Sequence, residues 1–439
     1  MLTRVAVWLA RLVVGGTFVV SGMTKMIDLH GSINKFNDYF AAWGMTDTFP
    51  EGLVLLAAAA LALAEFLTGF TLATGSMRRT SAFCASAIMA IMLPLSAYIW
   101  IASPVDDCGC FGDWLIISNS ATFWKNVGLS ALCVFLLLRN RRAGCLFAPW
   151  IQWVQIVVAA AYCAFIGMVG YDEQPLLDFR PYPVGSYLTD TASDDLAQTY
   201  VYRRIADGAL LEFSAYDLPD DDSGLEFIEV KEHASASADS ERIFIILDPE
   251  TGAELTDEIV GAEPEQLFLL IPDLKAAGVG ISYNANELAA RTSLIALTDA
   301  TPEEIAEWRD LSMADYPIYA ADSRTLKTIA RGKTALVMTH RGQIRWKRTL
   351  QSVNPEVSSL SDYETPTGPK RFSLYTVIFL CAQVALCLLG AIPRMTAKRF
   401  THKKRRTDNE HSVPSQDSVP SQDASPSQDS SLSQQDANS

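Results

Sequence analysis

Long apolar runs separated by short polar segments fill the first 170 residues, and one more such run lies near the C-terminal end. A helix of about 20 residues, rising 1.5 Å per residue, crosses the hydrocarbon core of a bilayer. The runs of that length predict six spanning helices, at about 5–23, 52–74, 81–102, 120–138, 150–170 and 373–392. The first run is long and no clear small-residue cleavage site follows it, so we expect a retained helix rather than a signal peptide.

Basic residues beside these runs predict the orientation. With six crossings, the basic clusters all fall on one side of the membrane: Arg4 and Arg11, Arg78 and Arg79, Arg139, Arg141 and Arg142, and the group 398–406. Because Lys and Arg are in excess on the cytoplasmic side, we expect a bacterial inner-membrane protein with both termini in the cytoplasm. Residues 171–371 and the loop between the third and fourth helices are then periplasmic, in an oxidising compartment.

The segment between the first two spanning helices has its own apolar stripe. Ile33, Phe36, Tyr39, Phe40 and Trp43 recur at helical spacing. The stripe predicts a helix that either lies along the outer membrane interface or packs as an ordinary connector.

Residues 171–371 have a different pattern, acidic and strand-rich to about 260 and then alternating strands with helices. We predict a buried strand at 266–271, strands at 293–298 and 316–321, helices at 283–293, 301–311 and 323–331, and a hairpin at 334–350 turning near Arg341 and Gly342. Asn284 and Thr301 are the expected helix caps, with Pro302 in the first turn of its helix. This order predicts an α/β sandwich with a mixed sheet.

The chain therefore divides into five predicted parts. They are a four-helix membrane region (1–142), a fifth membrane helix (143–170), a periplasmic domain (171–371), a sixth membrane helix (372–393) and a basic, then disordered, cytoplasmic tail (394–439). The tail after Thr407 repeats SVPSQD-like units and has too few large apolar residues to form a core.

Composition and charge argue against several classes of function. The 439-residue chain has a formal net charge of −15, with the acids concentrated after Asp172. This balance argues against a nucleic-acid partner. The sequence has no Gly-rich phosphate loop, no zinc-spaced His/Cys set and no hydrolase elbow, so no metal site is predicted. The expected partner from composition is the lipid bilayer.

The stretch DDCGCFGDW, residues 106–114, contains the one close cysteine pair in the sequence, Cys108 and Cys110. Gly109 permits the bend needed to bridge them, and so small a ring would be strained and more oxidising. The acidic neighbours Asp106, Asp107 and Asp113 should raise the thiol pKa and slow attack. A redox-active pair, a static loop disulfide, and free thiols or a metal site all remain open.

Glu65 lies inside the second predicted membrane helix. A carboxylate there costs roughly 2.5–3.5 kcal/mol on insertion scales, so it should be partnered, protonated or facing a cavity. Lys25 and Arg11 are the candidate partners. The residue serves either proton or ligand handling or a structural interhelical hydrogen bond.

Several motifs together resemble the DoxX/MauE-like family of four-helix membrane proteins. They are Arg11, FVVSGMTKMID (18–28), Glu65 within AEFLTGFTLATG, DCGCFGD (107–113) and the basic end of the fourth helix. The resemblance covers about residues 1–142. An added helix pair around a periplasmic domain is similar to the variant of this family common in Bacteroidetes.

The resemblance implies a role in methylamine utilisation, in maturing a disulfide-rich periplasmic subunit, or in quinone-linked redox chemistry. On the family pattern Cys108 and Cys110 are the catalytic redox pair, and Arg11, Ser21, Lys25 and Glu65 are the supporting polar set. A membrane quinone is the implied cofactor. A periplasmic thioredoxin-family or cysteine-rich protein is the implied partner.

The periplasmic part resembles thioredoxin-like folds, chiefly from about 260 onward. No cysteine lies between Tyr171 and Arg371, so thiol redox catalysis by this domain is excluded while partner binding is not. Our leading interpretation is a membrane thiol–disulfide exchange component. The alternatives are a non-catalytic scaffold or assembly factor that presents the degenerate domain, and a small-solute transporter, for which we see neither broken helices nor an inverted repeat.

Overall fold

A computed structural model describes residues 2–45, 48–105, 108–140, 143–189, 198–205, 210–214, 224–232, 244–354 and 368–410. Residues Met1–Cys387 form one compact unit and Leu388–Ser439 a second. The predicted disordered repeats, from 411 onward, lie outside the described residues. The part of the tail from 394 to 410, expected to be a basic segment leading into disorder, is helical.

Helices make up the first 172 residues. They are α1 (Leu2–Ile27), α2 (Leu29–Ala42), α3 (Glu51–Thr74), α4 (Arg78–Ala102), α5 (Asn119–Arg139) and α6 (Gln152–Asp172). Among the described residues, six helices are long and apolar enough to cross a membrane: α1, α3, α4, α5, α6 and Gly368–Ala391. The predicted multi-pass membrane class is confirmed, and each span lies within a few residues of its prediction.

Helix α2 packs as a connector. The chain breaks after α1 at Asp28, whose side chain accepts a hydrogen bond from the Gly31 N–H and so caps α2. Ile33 is buried against Val54 and Ala58 of α3. Of the two predicted alternatives, this packing favours the connector over a free interfacial helix.

Helices α1 and α3 approach each other at glycines. A Cβ at Gly22 would lie 2.4 Å from the Phe66 nitrogen, and one at Gly69 would lie 2.5 Å from the Val19 nitrogen. Small residues permit such backbone contact between membrane helices. The close approach brings the end of α1 against the middle of α3, where Glu65 lies.

A mixed sheet forms the core of residues 244–354, here named the sheet domain. Its strands are β4 (Glu265–Ile271), β5 (Leu294–Thr298), β6 (Ile318–Ala320), β7 (Ala335–His340) and β8 (Gln343–Thr349), in the order β6-β5-β4-β7-β8. Strands β4, β5 and β6 are parallel, while β7 and β8 run antiparallel to their neighbours. Strands β1 (Gln198–Arg204), β2 (Leu210–Ser214) and β3 (Leu225–Glu232) form a separate antiparallel sheet.

Helices cover both faces of the mixed sheet, which explains why β4 is apolar at successive positions. The helices are α7 (Thr256–Ile259), α8 (Leu274–Ala277), α9 (Ser282–Ala289), α10 (Pro302–Ser312) and α11 (Ser323–Ile329), and α12 (Gly368–Glu410) follows the domain. Leu267 and Leu269 pack with Trp308 of α10 on one face, while Phe268 and Leu270 pack with Leu326 of α11 on the other. The predicted mixed α/β arrangement agrees with this sheet.

Two of the predicted local signals are confirmed and one is wrong. Thr301 and Glu304 form a capping box at the start of α10, with Pro302 at its first position. The hairpin turns at Arg341 and Gly342, both with positive φ. Asn284 is not a cap, because a short 3-10 turn at Val279–Ile281 leads into α9 and moves its start to Ser282.

Candidate functional site

The loop between α4 and α5, residues 103–118 and here named the dithiol loop, is fastened to two helices through its backbone. The Ser21 hydroxyl of α1 lies 2.6 Å from the Cys110 carbonyl oxygen, and the Tyr39 hydroxyl of α2 donates to the Cys108 carbonyl at 3.0 Å. Gly109 between them has φ +64, and a Cβ there would meet the Lys35 side chain at 3.2 Å. Gly109 therefore serves the turn, as predicted, and also a close contact with α2.

The two sulfurs lie 3.2 Å apart as free, half-buried thiols. The hydrogen bond between the two sulfurs lowers the pKa of Cys110 to about 6; burial opposes this shift, and Lys125 and Lys25 add to it. The same hydrogen bond, together with burial, raises the pKa of Cys108. The pair is therefore asymmetric, with Cys110 the thiolate and Cys108 the thiol that stabilises it.

The acidic neighbours are not among the causes that lower the pKa of Cys110, so their expected effect stays a prediction. Asp113 accepts a hydrogen bond from Arg331 of the sheet domain, so its charge is compensated. Lys25 and Lys125 supply positive charge instead. Asp106 and Asp107 lie outside the described residues.

Glu65 is fully partnered, and Lys25 is the partner. The Lys25 Nζ lies 2.8 Å from both carboxylate oxygens, and the side chains are only 12% and 5% exposed. The Ser21 hydroxyl lies 2.7 Å from Glu65 Oε2 as well as near the Cys110 carbonyl. Since a hydroxyl has one proton to donate, Ser21 bonds one of these acceptors at a time and links the ion pair to the dithiol loop.

Arg11 does not belong to this polar set, contrary to the family expectation. Its guanidinium donates to the Asn140 side chain at 2.6 Å and to the carbonyls of Asn140 and Gly144 at 2.7 and 2.6 Å. Ten residues of α1, roughly 15 Å of helix, separate it from Ser21. Arg11 instead holds the segment that follows α5 against the opposite end of the bundle.

An apolar cavity of about 170 Å³ lies beside the dithiol loop. It is lined by Cys108, Cys110 and Lys25, by the aromatic side chains Phe36, Tyr39, Phe40 and Trp43 of α2, and by Leu61, Met92 and Leu95. A second cavity of about 40 Å³ is lined by Cys110, Ser21, Glu65, Lys125 and Asn126. The Asn126 amide nitrogen is buried and has no hydrogen-bond partner among the described residues. Cys110 thus borders both cavities, and the smaller one places it beside the polar side chains of Ser21, Glu65 and Lys125.

Sequence reasoning missed several residues that complete the site. Tyr39 was assigned to an apolar stripe, yet its hydroxyl holds the loop. Lys125, like Glu65, is a charged residue within a predicted membrane helix, so the same criterion could have selected it. Arg331 carried no signal, because it lies 218 residues from Asp113 in a different part of the chain.

Comparison with known proteins finds one family for the membrane region. The family model "Methylamine utilisation protein MauE" matches residues 3–139. The match covers 137 of the 439 residues, so this membrane region is similar to that family. The MauE-like region includes α1 to α5 and the dithiol loop, so Cys108, Cys110, Ser21, Lys25 and Glu65 all lie within it. No curated protein and no solved structure matches the chain.

Proposed function

We propose that the protein is an inner-membrane component of periplasmic thiol–disulfide exchange, of the methylamine utilisation type, with Cys108 and Cys110 as the reacting pair. The observation that carries the proposal is the geometry of the pair, since the two sulfurs lie 3.2 Å apart and Cys110 lines a small cavity together with Lys25 and Lys125, an asymmetry that the lowered pKa of Cys110 reflects. Such asymmetry is what exchange chemistry needs, since the sulfur of lower pKa is the better leaving group.

The exchange step follows from this asymmetry. In the oxidised protein, a thiolate of a reduced partner attacks Cys108 Sγ, the Cys108–Cys110 bond breaks, and Cys110 leaves as a thiolate beside the two lysines. A second partner thiolate then attacks the mixed disulfide and releases Cys108. The partner loses two electrons and two protons and gains a disulfide, while Cys108 and Cys110 become free thiols.

Reoxidation requires a two-electron acceptor, and a membrane quinone is the class that we propose. The apolar cavity supports this choice, because aromatic side chains of α2 and the thiol of Cys108 line it together. Phe36, Tyr39, Phe40 and Trp43 would hold the ring. A bound quinone would accept two electrons and two protons, and Lys25 would keep Cys110 ionised for attack.

Several observations support an inner-membrane location with the dithiol loop on the periplasmic side. Arg11 binds Asn140 and Gly144, and Arg78 donates to the Ala143 carbonyl at 3.0 Å, so the basic residues gather at one end of the bundle. The dithiol loop lies at the other end, next to the sheet domain. The positive-inside tendency then assigns the dithiol loop and the sheet domain to the periplasm.

We further propose that the sheet domain is a degenerate thioredoxin-like binding domain. Support comes from its parallel strands β4 and β5, followed by the antiparallel hairpin of β7 and β8, with helices on both sheet faces. It has no cysteine. Its role would be to hold a thioredoxin-family or cysteine-rich partner close to the dithiol loop.

Thiol trapping in growing cells tests the exchange function. We expect the wild-type pair to be partly reduced, and the Cys110→Ser variant to accumulate mixed disulfides through Cys108. The matched Cys108→Ser variant should form far fewer, because Cys110 is the leaving sulfur. A pair that is always fully oxidised, with no mixed disulfide in either variant, would contradict exchange and favour the scaffold alternative.

A further inference from the structure

Arg331 of the sheet domain joins three parts of the molecule. Its Nε and Nη2 donate to Asp28 Oδ2 at 3.0 and 2.8 Å, at the break between α1 and α2. Its Nη2 also donates to the carboxylate of Asp113 in the dithiol loop. The Arg331 and Asp28 side chains are buried, 8% and 10% exposed, while Asp113 is 33% exposed at the edge of the contact.

The guanidinium is fixed from its own side. Nη1 donates to the Lys327 carbonyl at 3.0 Å, and the Arg331 backbone exchanges two hydrogen bonds with the Gln174 amide, at 2.9 and 2.8 Å. Asp28 is fixed as well, since its other oxygen accepts the Gly31 N–H at 2.8 Å. With both ends held, the guanidinium sets where Asp113 can lie.

Asp113 lies three residues after Cys110, in the short 3-10 turn Gly112–Trp114. Holding Asp113 therefore restrains the backbone that carries the reactive sulfur. It also compensates a negative charge that, if free, would oppose ionisation of Cys110. Arg331 thus has both a geometric and an electrostatic effect on the dithiol loop, without touching either sulfur.

We propose that Arg331 is a positioning residue for the dithiol loop, holding Asp113 against Asp28 so that Cys110 stays beside Lys25 and Lys125. The importance of this role for exchange rests on the proposed function. The positioning of Asp113 by Arg331 does not rest on that function, because it concerns only the ionisation and alkylation of Cys110.

Alkylation of Cys110 as a function of pH tests the proposal. Full-length protein in detergent, with the six other cysteines outside the pair replaced by serine, would be treated with iodoacetamide between pH 5 and pH 8, and the first modification of the loop followed by mass spectrometry. The charged groups facing Cys110 are Lys25 from α1, Glu65 from α3, Lys125 from α5 and the Cys108 thiol. Arg331→Gln should move the profile to higher pH and slow alkylation about fivefold at pH 6, the fall expected if the Cys110 pKa rises from about 6 to about 7.

Lys333→Gln is the matched control. Lys333 also connects the sheet domain to the bundle, through an ion pair with Glu51 at 2.6 Å, but both side chains are about half exposed and neither lies in the dithiol loop. Its profile should match the wild type, and Arg331→Lys should fall between. Asp113→Asn weakens the same tether from the loop side without leaving a free carboxylate, so it should also move the profile to higher pH, but by less than Arg331→Gln.

The proposal is overturned if Arg331→Gln leaves the profile unchanged or if Lys333→Gln shifts it equally. Failure of the proposed function gives a different result. If Arg331→Gln shifts the pH profile of alkylation but the wild-type protein never forms mixed disulfides, the exchange function is contradicted and the positioning role is supported. If mixed disulfides form normally and the profile does not move, only the positioning role falls.

Discussion

Cys108 and Cys110 differ in ionisation although a single residue separates them. The difference arises mainly from the hydrogen bond between the two thiols, which lowers the pKa of Cys110 and raises that of Cys108, while Lys125 and Lys25 lower the pKa of Cys110 further. Polarisation of a thiol pair by nearby ammonium groups is a known way to lower one pKa at the expense of the other. At this scale the ionisation of the pair depends on the hydrogen bond between the sulfurs and on the two nearby lysines.

Replacing Lys125 by methionine should raise the pKa of Cys110. Cys110 becomes reactive as pH rises through its pKa of about 6, so losing a stabilising cation should move the alkylation profile to higher pH. At pH 6 we expect a several-fold slower reaction, on the order of the effect of one nearby charge. Lys370→Met, which removes the same charge from an exposed position far along the chain, should leave the profile as it is.

Glu65→Gln separates the two interpretations of the buried ion pair. The variant leaves the Lys25 ammonium, 12% exposed, without its carboxylate, and breaking a buried pair in this way costs about 3–5 kcal/mol. The double variant Lys25→Met, Glu65→Gln should recover most of the free energy of unfolding, measured by denaturant titration in detergent.

Exchange activity of that double variant then distinguishes the roles. If Glu65 and Lys25 serve the chemistry, the double variant is stable yet forms few mixed disulfides. Normal mixed-disulfide levels in a stable double variant would show that the Lys25–Glu65 ion pair is only an interhelical contact.

The sequence predicted part of this site and missed the rest for a physical reason. Cys108, Gly109, Cys110 and the Glu65 partner Lys25 could be found because their chemistry is unusual in its local context. The asymmetry of the thiols could not, since the charges that set it come from different helices. The contact between Asp113 and Arg331 could not be predicted either, because 218 residues separate the two.

At the scale of elements, the apolar pattern predicted the spans well because a bilayer demands continuous apolar length. It could not show where helices touch. Contacts between α1 and α3 are set by Gly15, Gly22 and Gly69, and glycines give little signal in a hydropathy pattern. The polar set near Cys110 depends on that contact, since it brings Ser21 and Lys25 onto Glu65.

Gly22→Ala should therefore destabilise the bundle. Its new methyl group would lie 2.4 Å from the Phe66 nitrogen and 2.6 Å from the Ala62 oxygen, so α1 and α3 must separate. We expect a loss of about 1–3 kcal/mol in the free energy of unfolding, as for other overpacked sites. Gly16→Ala is the control on the same helix, because nothing lies within 4 Å of its added methyl group. Equal stability of the two variants would contradict the close helix approach.

At the scale of the whole molecule, buried ion pairs fix the sheet domain and the segment that leads to it from α6. Asp178 in this segment binds Lys347 of β8 at 2.8 Å and Arg180 at 2.6 Å. Burial would raise the pKa of Asp178, but the two cations outweigh burial and lower it below 3.8. Long-range pairs of this kind explain why the sequence predicted the strands but not the place where the domain sits.

The Asp178 carboxylate should make sheet-domain stability depend on pH. Because its folded-state pKa lies below the unfolded value of 3.8, its contribution is complete above that value and is lost as pH falls through the folded pKa. At pH 7, Asp178→Asn should lower the free energy of unfolding by about 3–5 kcal/mol, measured with urea on the full chain in detergent. Near pH 3 the gap between variant and wild type should narrow; a constant gap would show that the carboxylate charge is irrelevant.

The exchange mechanism as a whole requires that the dithiol loop face an oxidising compartment. The Arg331 contact means that a label on the sheet domain also shows on which side of the membrane the dithiol loop lies. Because Arg331 binds Asp113, the sheet domain and the dithiol loop lie on the same side of the bundle. A cysteine placed at exposed Thr251 in a cysteine-free chain should react with a membrane-impermeant maleimide in intact spheroplasts. A cysteine at exposed Arg79, in the first turn of α4 at the opposite end of the bundle, should react only after lysis. The opposite result would put Cys108 and Cys110 in the reducing cytoplasm, where a pair poised for disulfide transfer to secreted proteins has no substrate.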